Sequence, residues 1–113
     1  MFSIGLGLRL RPGCYDRYKK AHDECWPELL ETMRENDVNM VVHRSGNRLF
    51  VYATAPSQTA WLNSRVGPRR DEWNDFMTDL LETDAEGNIL FEELEIAFSF
   101  GQFKVESHNQ NDT

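Results

Sequence analysis

Apolar residues recur along the chain at two different periods, and the switches between them mark the elements. Phe2, Ile4, Leu6, Leu8 and Leu10 alternate, and this period of two predicts a half-buried strand within residues 2–11 that ends at the turn signal RPG. From Cys14 to Glu35 the spacing turns helical. At 100° per residue, Cys14, Tyr15, Tyr18, His22, Cys25, Trp26, Leu29 and Met33 fall within an arc of about 120°. Pro27 has no N–H and pushes Trp26 away from the α region, so this helix should kink or restart between His22 and Glu28. Residues 38–44 and 48–54 flank SGN, a short glycine-containing connection that predicts an antiparallel hairpin. Ser57 suits the N-cap of a short helix over 58–66, and Pro68 opens another to about Leu81, in which Trp73, Phe76, Met77 and Leu80 repeat at i, i+3, i+4 and i+7. In LFEELEIAFSF, Leu94, Ile96, Phe98 and Phe100 alternate with Glu93, Glu95, Ala97 and Ser99, the clearest strand pattern in the chain.

The predicted order is β-α-β-β-α-β, the split βαβ arrangement of ferredoxin-like α+β folds. Such a fold covers one face of an antiparallel sheet with helices. Large side chains or apolar stems on both sides of the first and last strands leave the other face uncovered, so two sheets are expected to pack together as a homodimer, a dimeric α+β barrel. With 113 residues, 40% of them hydrophobic, the chain has the material for one core. The expected domain spans 1–104. Residues 105–113 have almost nothing to bury and are expected to be a disordered tail.

Charge and composition narrow the partners. The formal net charge of -7 disfavours nucleic acid and anionic membrane, and GPRR is too small a basic cluster to offset it. No run of 18 apolar residues occurs, and MFSIGLGLRL has neither a basic leader nor a cleavage site, so a cytoplasmic protein is expected. Cys14 and Cys25 are eleven residues apart on a predicted helix, about 16 Å, beyond the reach of a disulfide, and read as reduced core residues. His22, His43 and His108 are scattered, with no metal-ligand spacing, and no phosphate loop, nucleophile elbow or dinucleotide fingerprint occurs, so neither metal nor cofactor is expected.

His22 is the most informative position. A lone histidine on an apolar stripe is by default a satisfied core residue. Here Tyr18 stands one turn before it and a kink is expected just after it, which makes a pocket lined by His22 plausible. At helical spacing Trp26 could be core or a ligand platform, and Trp61 reads as packing. Trp73, set between PRRDE and ND, has an apolar ring in a polar rim and could stack on the C–H face of a sugar. Asp71, Glu72, Asp75 and Asp79 read as the wet face of that helix.

The motif Y-K-x-x-H-D-x-x-W-P-E-L at 18–29, with R-L-F-V-Y at 48–52 and W-N-D-F-M at 73–77, resembles the L-rhamnose mutarotase family of small α+β dimers, across the chain to about residue 100. The resemblance implies interconversion of the α and β anomers of a pyranose, L-rhamnose or a related 6-deoxyhexose, in the cytoplasm without cofactor or metal. It implies His22 as proton donor, Tyr18 as substrate contact and Trp73 as sugar platform. Three positions depart from the family pattern: Met40 or Val41 stands where members commonly have a tyrosine, Asn74 where many have a second tryptophan, and Thr54 where a strand often ends in glutamate. Met40, Asn74 and Tyr52 join Tyr18 and Trp73 as candidate substrate contacts, and Tyr18, Tyr52 and Asp23 are candidates for the base that complements His22. Two other functions fit the same fold: a sugar-binding module without catalysis, and a small monooxygenase or haem-binding protein with His22 as axial ligand.

Overall fold

The structure is a computed structural model that describes residues 1–103, so the expected tail and His108 lie outside the described residues. Its elements follow in the order β1 (Phe2–Arg9), α1 (Tyr15–Asp23), α2 (Pro27–Glu35), β2 (Asn39–Ser45), β3 (Arg48–Ala55), α3 (Gln58–Asn63), α4 (Pro68–Met77) and β4 (Phe91–Leu94), with a last 3-10 turn at Gly101–Phe103. The four strands form one sheet in the order β2-β3-β1-β4, antiparallel throughout, which is the ferredoxin-like order.

Register decides which side chains meet the helices. On β3 the alternate residues Leu49, Val51, Ala53 and Ala55 are all buried, while Phe50, Tyr52 and Thr54 point to the opposite face. Their partners on β1 sort the same way. Leu8 pairs with Leu49 and joins the cluster of Leu10, Tyr18, Leu29, Trp73, Met77, Leu80 and Leu81. Phe2, Ile4 and Leu6 pack against a second cluster of Ala53, Ala55 and Trp61.

The expected kink at Pro27 is a complete break. Trp26 is extended, at φ -61° and ψ 132°, as the residue before a proline must be, and Pro27 opens α2 from a first-turn position where its missing N–H costs nothing. The long predicted helix thus becomes two of nine residues each, with Cys14 ahead of the first and Cys25 in the gap between them. Both cysteines are free and half-buried. Ser57 is the N-cap of α3, its hydroxyl accepting the Ala60 N–H at 3.1 Å. That helix stops at Asn63, short of the expected residue 66, as Ser64 turns its hydroxyl onto the Trp61 carbonyl at 2.7 Å.

Three expectations need correction. Helix α4 ends at Met77 instead of continuing to Leu81, because Leu81 is drawn into a bridge with Leu10. The last strand covers only 91–94 instead of following the alternation on to Phe100. Glu93 pairs with Leu6 and shares its helix-covered face, while Leu94 pairs with Gly5 and faces the other way. A shift of one residue flips every side chain of a strand. Finally, the uncovered face of β1 is not large and apolar: it carries Ser3, Gly5, Gly7 and Arg9. Leu94 lies over these glycines, where a Cβ placed on Gly5 would meet Leu94 Cβ at an ordinary contact distance of 3.6 Å. The apolar surface lies instead around Val41 and in the segment after β4, where Phe98 is 83% and Phe100 80% exposed.

Candidate active site

Helix α1 sets the site. Tyr18 and His22 are four residues apart, so their side chains stack along one face, with ring centroids 4.0 Å apart and planes tilted by 30°. His22 Nδ1 lies 2.9 Å from the Tyr18 carbonyl oxygen. A carbonyl can only accept, so Nδ1 carries the hydrogen and Nε2 keeps its lone pair in the neutral ring. Nε2 has no hydrogen-bond partner among the described residues, yet no fully buried side-chain nitrogen or oxygen there is left unpaired. The free nitrogen of this half-buried ring therefore opens to solvent. The Tyr18 hydroxyl meets the same two conditions within a side chain that is otherwise buried.

Both groups line a cavity of about 1260 Å³ between the helices and the inner face of the sheet. Trp73 closes it from α4. The indole is only 5% exposed and meets two rings nearly at right angles, His22 at 5.1 Å and Trp26 at 5.2 Å. Trp26 reaches this position because the extended backbone before Pro27 swings it toward α4, where the Arg69 guanidinium covers its other side at 4.1 Å from the ring centre. Trp73 is thus a largely buried part of the cavity wall.

Burial sets the protonation of both polar groups. It pushes the Tyr18 phenol up to about 12, so the hydroxyl stays neutral and able to donate. It pulls His22 below its ordinary 6.5, against the bond to the Tyr18 carbonyl, which favours the charged ring; Arg70 lowers the value further and Asp23 raises it. At neutral pH the imidazole is uncharged.

The remaining candidates divide. Met40, inward-facing on β2, and Asn74, exposed at the rim on α4, both line the cavity with Tyr18, His22 and Trp73. Tyr52 does not. It shares the opposite face of the sheet with Gly5 and Val41, and its ring meets Phe103 at 5.6 Å. The strand period separates it from His22, which removes it as a substrate contact or base within this chain. Asp23 is held by Lys19 at 2.6 Å on the exposed side of α1 and is absent from the cavity wall. Thr54 faces away with Tyr52.

Known proteins can now be set beside this geometry. The L-rhamnose mutarotase family model matches residues 3–100. The chain belongs to the L-rhamnose mutarotase family. It is similar to the L-rhamnose mutarotase of Mannheimia succiniciproducens, with 27% identity over 87% of this chain and 97% of that protein. It is also similar to that of Burkholderia orbicola, with 31% identity over 87% of this chain and 97% of that one. The crystal structure of an L-rhamnose mutarotase from Formosa agariphila superposes with a TM-score of 0.75 over 89% of this chain and all of its own, at 23% identity, a likeness of fold.

Within this family member, five charged residues of the cavity wall, Arg65, Arg70, Asp75, Glu93 and Glu95, were not among the expected site residues. Arg70 belongs to GPRR, whose charge looked too slight to matter, Arg65 stands just ahead of it, and both line the cavity half-buried. Burial pulls Arg65 down to about 9, which still leaves it cationic at neutral pH, and Arg70 is lowered by the same cause. Glu93 lines the cavity because its pairing with Leu6 puts it on the helix-covered face. Alternation alone signals two faces of a strand and cannot say which one is covered.

Because His22 titrates below 6.5 when folded, the folded chain binds its proton less readily than the unfolded chain does. The stability this supplies is complete above about pH 6.5 and is lost as pH falls toward the folded value. Proton NMR should show the His22 ring titrating below 6.5; a midpoint at or above 6.5 would contradict the buried, neutral imidazole.

Proposed function

We propose that this chain is an aldose mutarotase that interconverts the α and β anomers of L-rhamnose or a related 6-deoxyhexose by proton transfer through His22. One observation carries the reading: an imidazole whose Nδ1 is committed to a backbone carbonyl and whose Nε2 is open at the wall of a cavity that a neutral phenol and an indole also line. Family membership supports it.

Mutarotation removes the proton of the anomeric hydroxyl, protonates the ring oxygen and recloses the resulting aldehyde from either face. Nε2 accepts the anomeric proton, and the imidazolium so formed returns it to the ring oxygen as the C1–O5 bond breaks. The steps reverse once the aldehyde has rotated. No proton is gained or lost overall. His22 is therefore acceptor first and donor second, and a ring neutral at pH 7 starts in the right state. The Tyr18 hydroxyl hydrogen-bonds a sugar oxygen and fixes the ring against the imidazole. Trp73 and Met40 supply apolar wall, and the Asn74 amide at the rim meets hydroxyls.

The same reading makes the chain a homodimer that works in the cytoplasm. The exposed rings of Phe98 and Phe100, an uncovered sheet face carrying Val41 and Tyr52, and two free thiols support this. Among the described residues no helix is long and apolar enough to cross a membrane.

Saturation-transfer NMR between the anomers of L-rhamnose should show exchange accelerated by the protein. His22→Ala should lower it by about 10²- to 10⁴-fold, and Tyr18→Phe by roughly two- to tenfold. The rate should rise with pH through a midpoint below 6.5 and then level off, as the ring loses the proton that blocks Nε2. If the sugar binds without faster exchange, the chain is a binding module; if His22→Ala exchanges like the parent, the proton route is wrong. Sedimentation should give twice the 13.2 kDa chain mass, and Phe98→Ser with Phe100→Ser should shift it toward one chain. A monomeric parent would contradict the dimer.

A further inference from the structure

A line of contacts runs from the protein surface to the imidazole. The Arg69 guanidinium carbon stands 4.1 Å from the centre of the Trp26 ring, Trp26 meets Trp73 at 5.2 Å and 83°, and Trp73 meets His22 at 5.1 Å and 78°. Each ring is pressed by the one before it. At the outer end Arg69 is held by carboxylates of two helices: its Nη1 donates to Glu72 one turn along α4, and its Nε lies 3.6 Å from a carboxylate oxygen of Glu28 on α2.

Stability does not explain this arrangement. The three charged side chains are between 45% and 59% exposed, where ion pairs contribute little, and a cation in the first turn of α4 opposes that helix's dipole. Orientation is what the network fixes. A guanidinium is planar, so carboxylates at Nε and Nη1 set its plane, and that plane covers the indole of Trp26.

Trp26 needs such a hold. It lies in the three-residue gap between α1 and α2, outside either helix, and its side chain makes no cap bond. His22 depends on the same stack. One hydrogen bond, at Nδ1, ties its ring to the backbone and leaves the ring plane free to swing about that bond, so the indole of Trp73 at its side sets how far Nε2 can move.

We propose that Arg69 is a positioning residue: anchored by Glu28 and Glu72, it clamps Trp26 against Trp73 and thereby fixes the orientation of the His22 ring without touching the sugar. Its kinetic consequence rests on the mutarotase reading, whereas the orientation of the ring does not.

Arg69→Met, which keeps an apolar stem and removes the guanidinium, tests the clamp. In proton NMR the carbon-bound ring protons of His22 should move toward the positions of free imidazole. Trp26→Leu should move them further in the same direction, and Arg69→Met added to Trp26→Leu should change nothing more, because both act through one contact. Anomer exchange of L-rhamnose should lose about three- to tenfold in kcat with KM within about twofold, and Arg69→Lys, which keeps a cation over the ring, should recover part of the loss. If kcat or the ring protons of Arg69→Met stay at the parent's values, whatever the melting temperature does, Arg69 is only structural and the proposal is overturned. Effects of Arg69→Met and Trp26→Leu that add in full overturn the route through Trp26. Should Trp26→Leu fail to fold, Glu28→Gln takes its place: loss of one anchor should move the same protons the same way, and unmoved protons overturn the clamp. If the parent accelerates no sugar's exchange, the mutarotase reading falls and the ring protons alone decide: displaced in Arg69→Met they support the clamp, unmoved they overturn it.

Discussion

The hydrogen bond from His22 Nδ1 to the Tyr18 carbonyl, 2.9 Å long, holds the site in one chemical state. It orients the imidazole along its own helix, fixes which nitrogen carries the hydrogen, and leaves the other free at the cavity wall. Tyr18 of α1 stacks on the ring it positions, and Trp73 of α4 meets that ring edge-on. A histidine spent in the middle of an apolar stripe is explained by this geometry. Its ring body packs among aromatics while its polar edges face a backbone acceptor and open space.

Burial and openness are balanced across the Trp26–Pro27 break. A continuous helix from Cys14 to Glu35 would lay all its apolar residues against the sheet. The extended backbone at Trp26 ends α1 one residue after His22, lets Trp26 turn onto Trp73, and starts α2 afresh at Pro27. The sheet contributes the floor through one strand face, on which Leu6, Leu8, Val51 and Met40 line the cavity. The pKa directions follow from the same enclosure: a half-buried imidazole is kept neutral, a buried phenol is kept protonated, and two arginines stay charged without counter-ions.

Local signals carried much of this in the sequence. Period-two and period-3.6 patterns located the strands and helices, Pro27 marked the break, and Ser57 its cap, because each depends on bonding within a few residues. Tyr18, His22, Trp73, Met40 and Asn74 line one cavity, drawn from α1, α4 and β2. What depended on pairing between distant segments was not legible. Which face of β4 is covered is set by its register against β1, and alternation alone cannot reveal that choice. Tyr52 fails for the same reason, since its distance from His22 is a matter of sheet face. Arg65 and Arg70 went unnoticed because a net count treats them as surface charge; only the fold shows them half-buried and facing inward.

The account stands on the state of one nitrogen, and nitrogen NMR of the imidazole reads it directly. At pH 7 the His22 ring of labelled protein should show a protonated Nδ1 and an unprotonated Nε2, and adding L-rhamnose should move the Nε2 resonance while Nδ1 stays bonded as before. A ring found protonated at Nε2, or an Nε2 resonance unmoved by the sugar, would contradict the central claim.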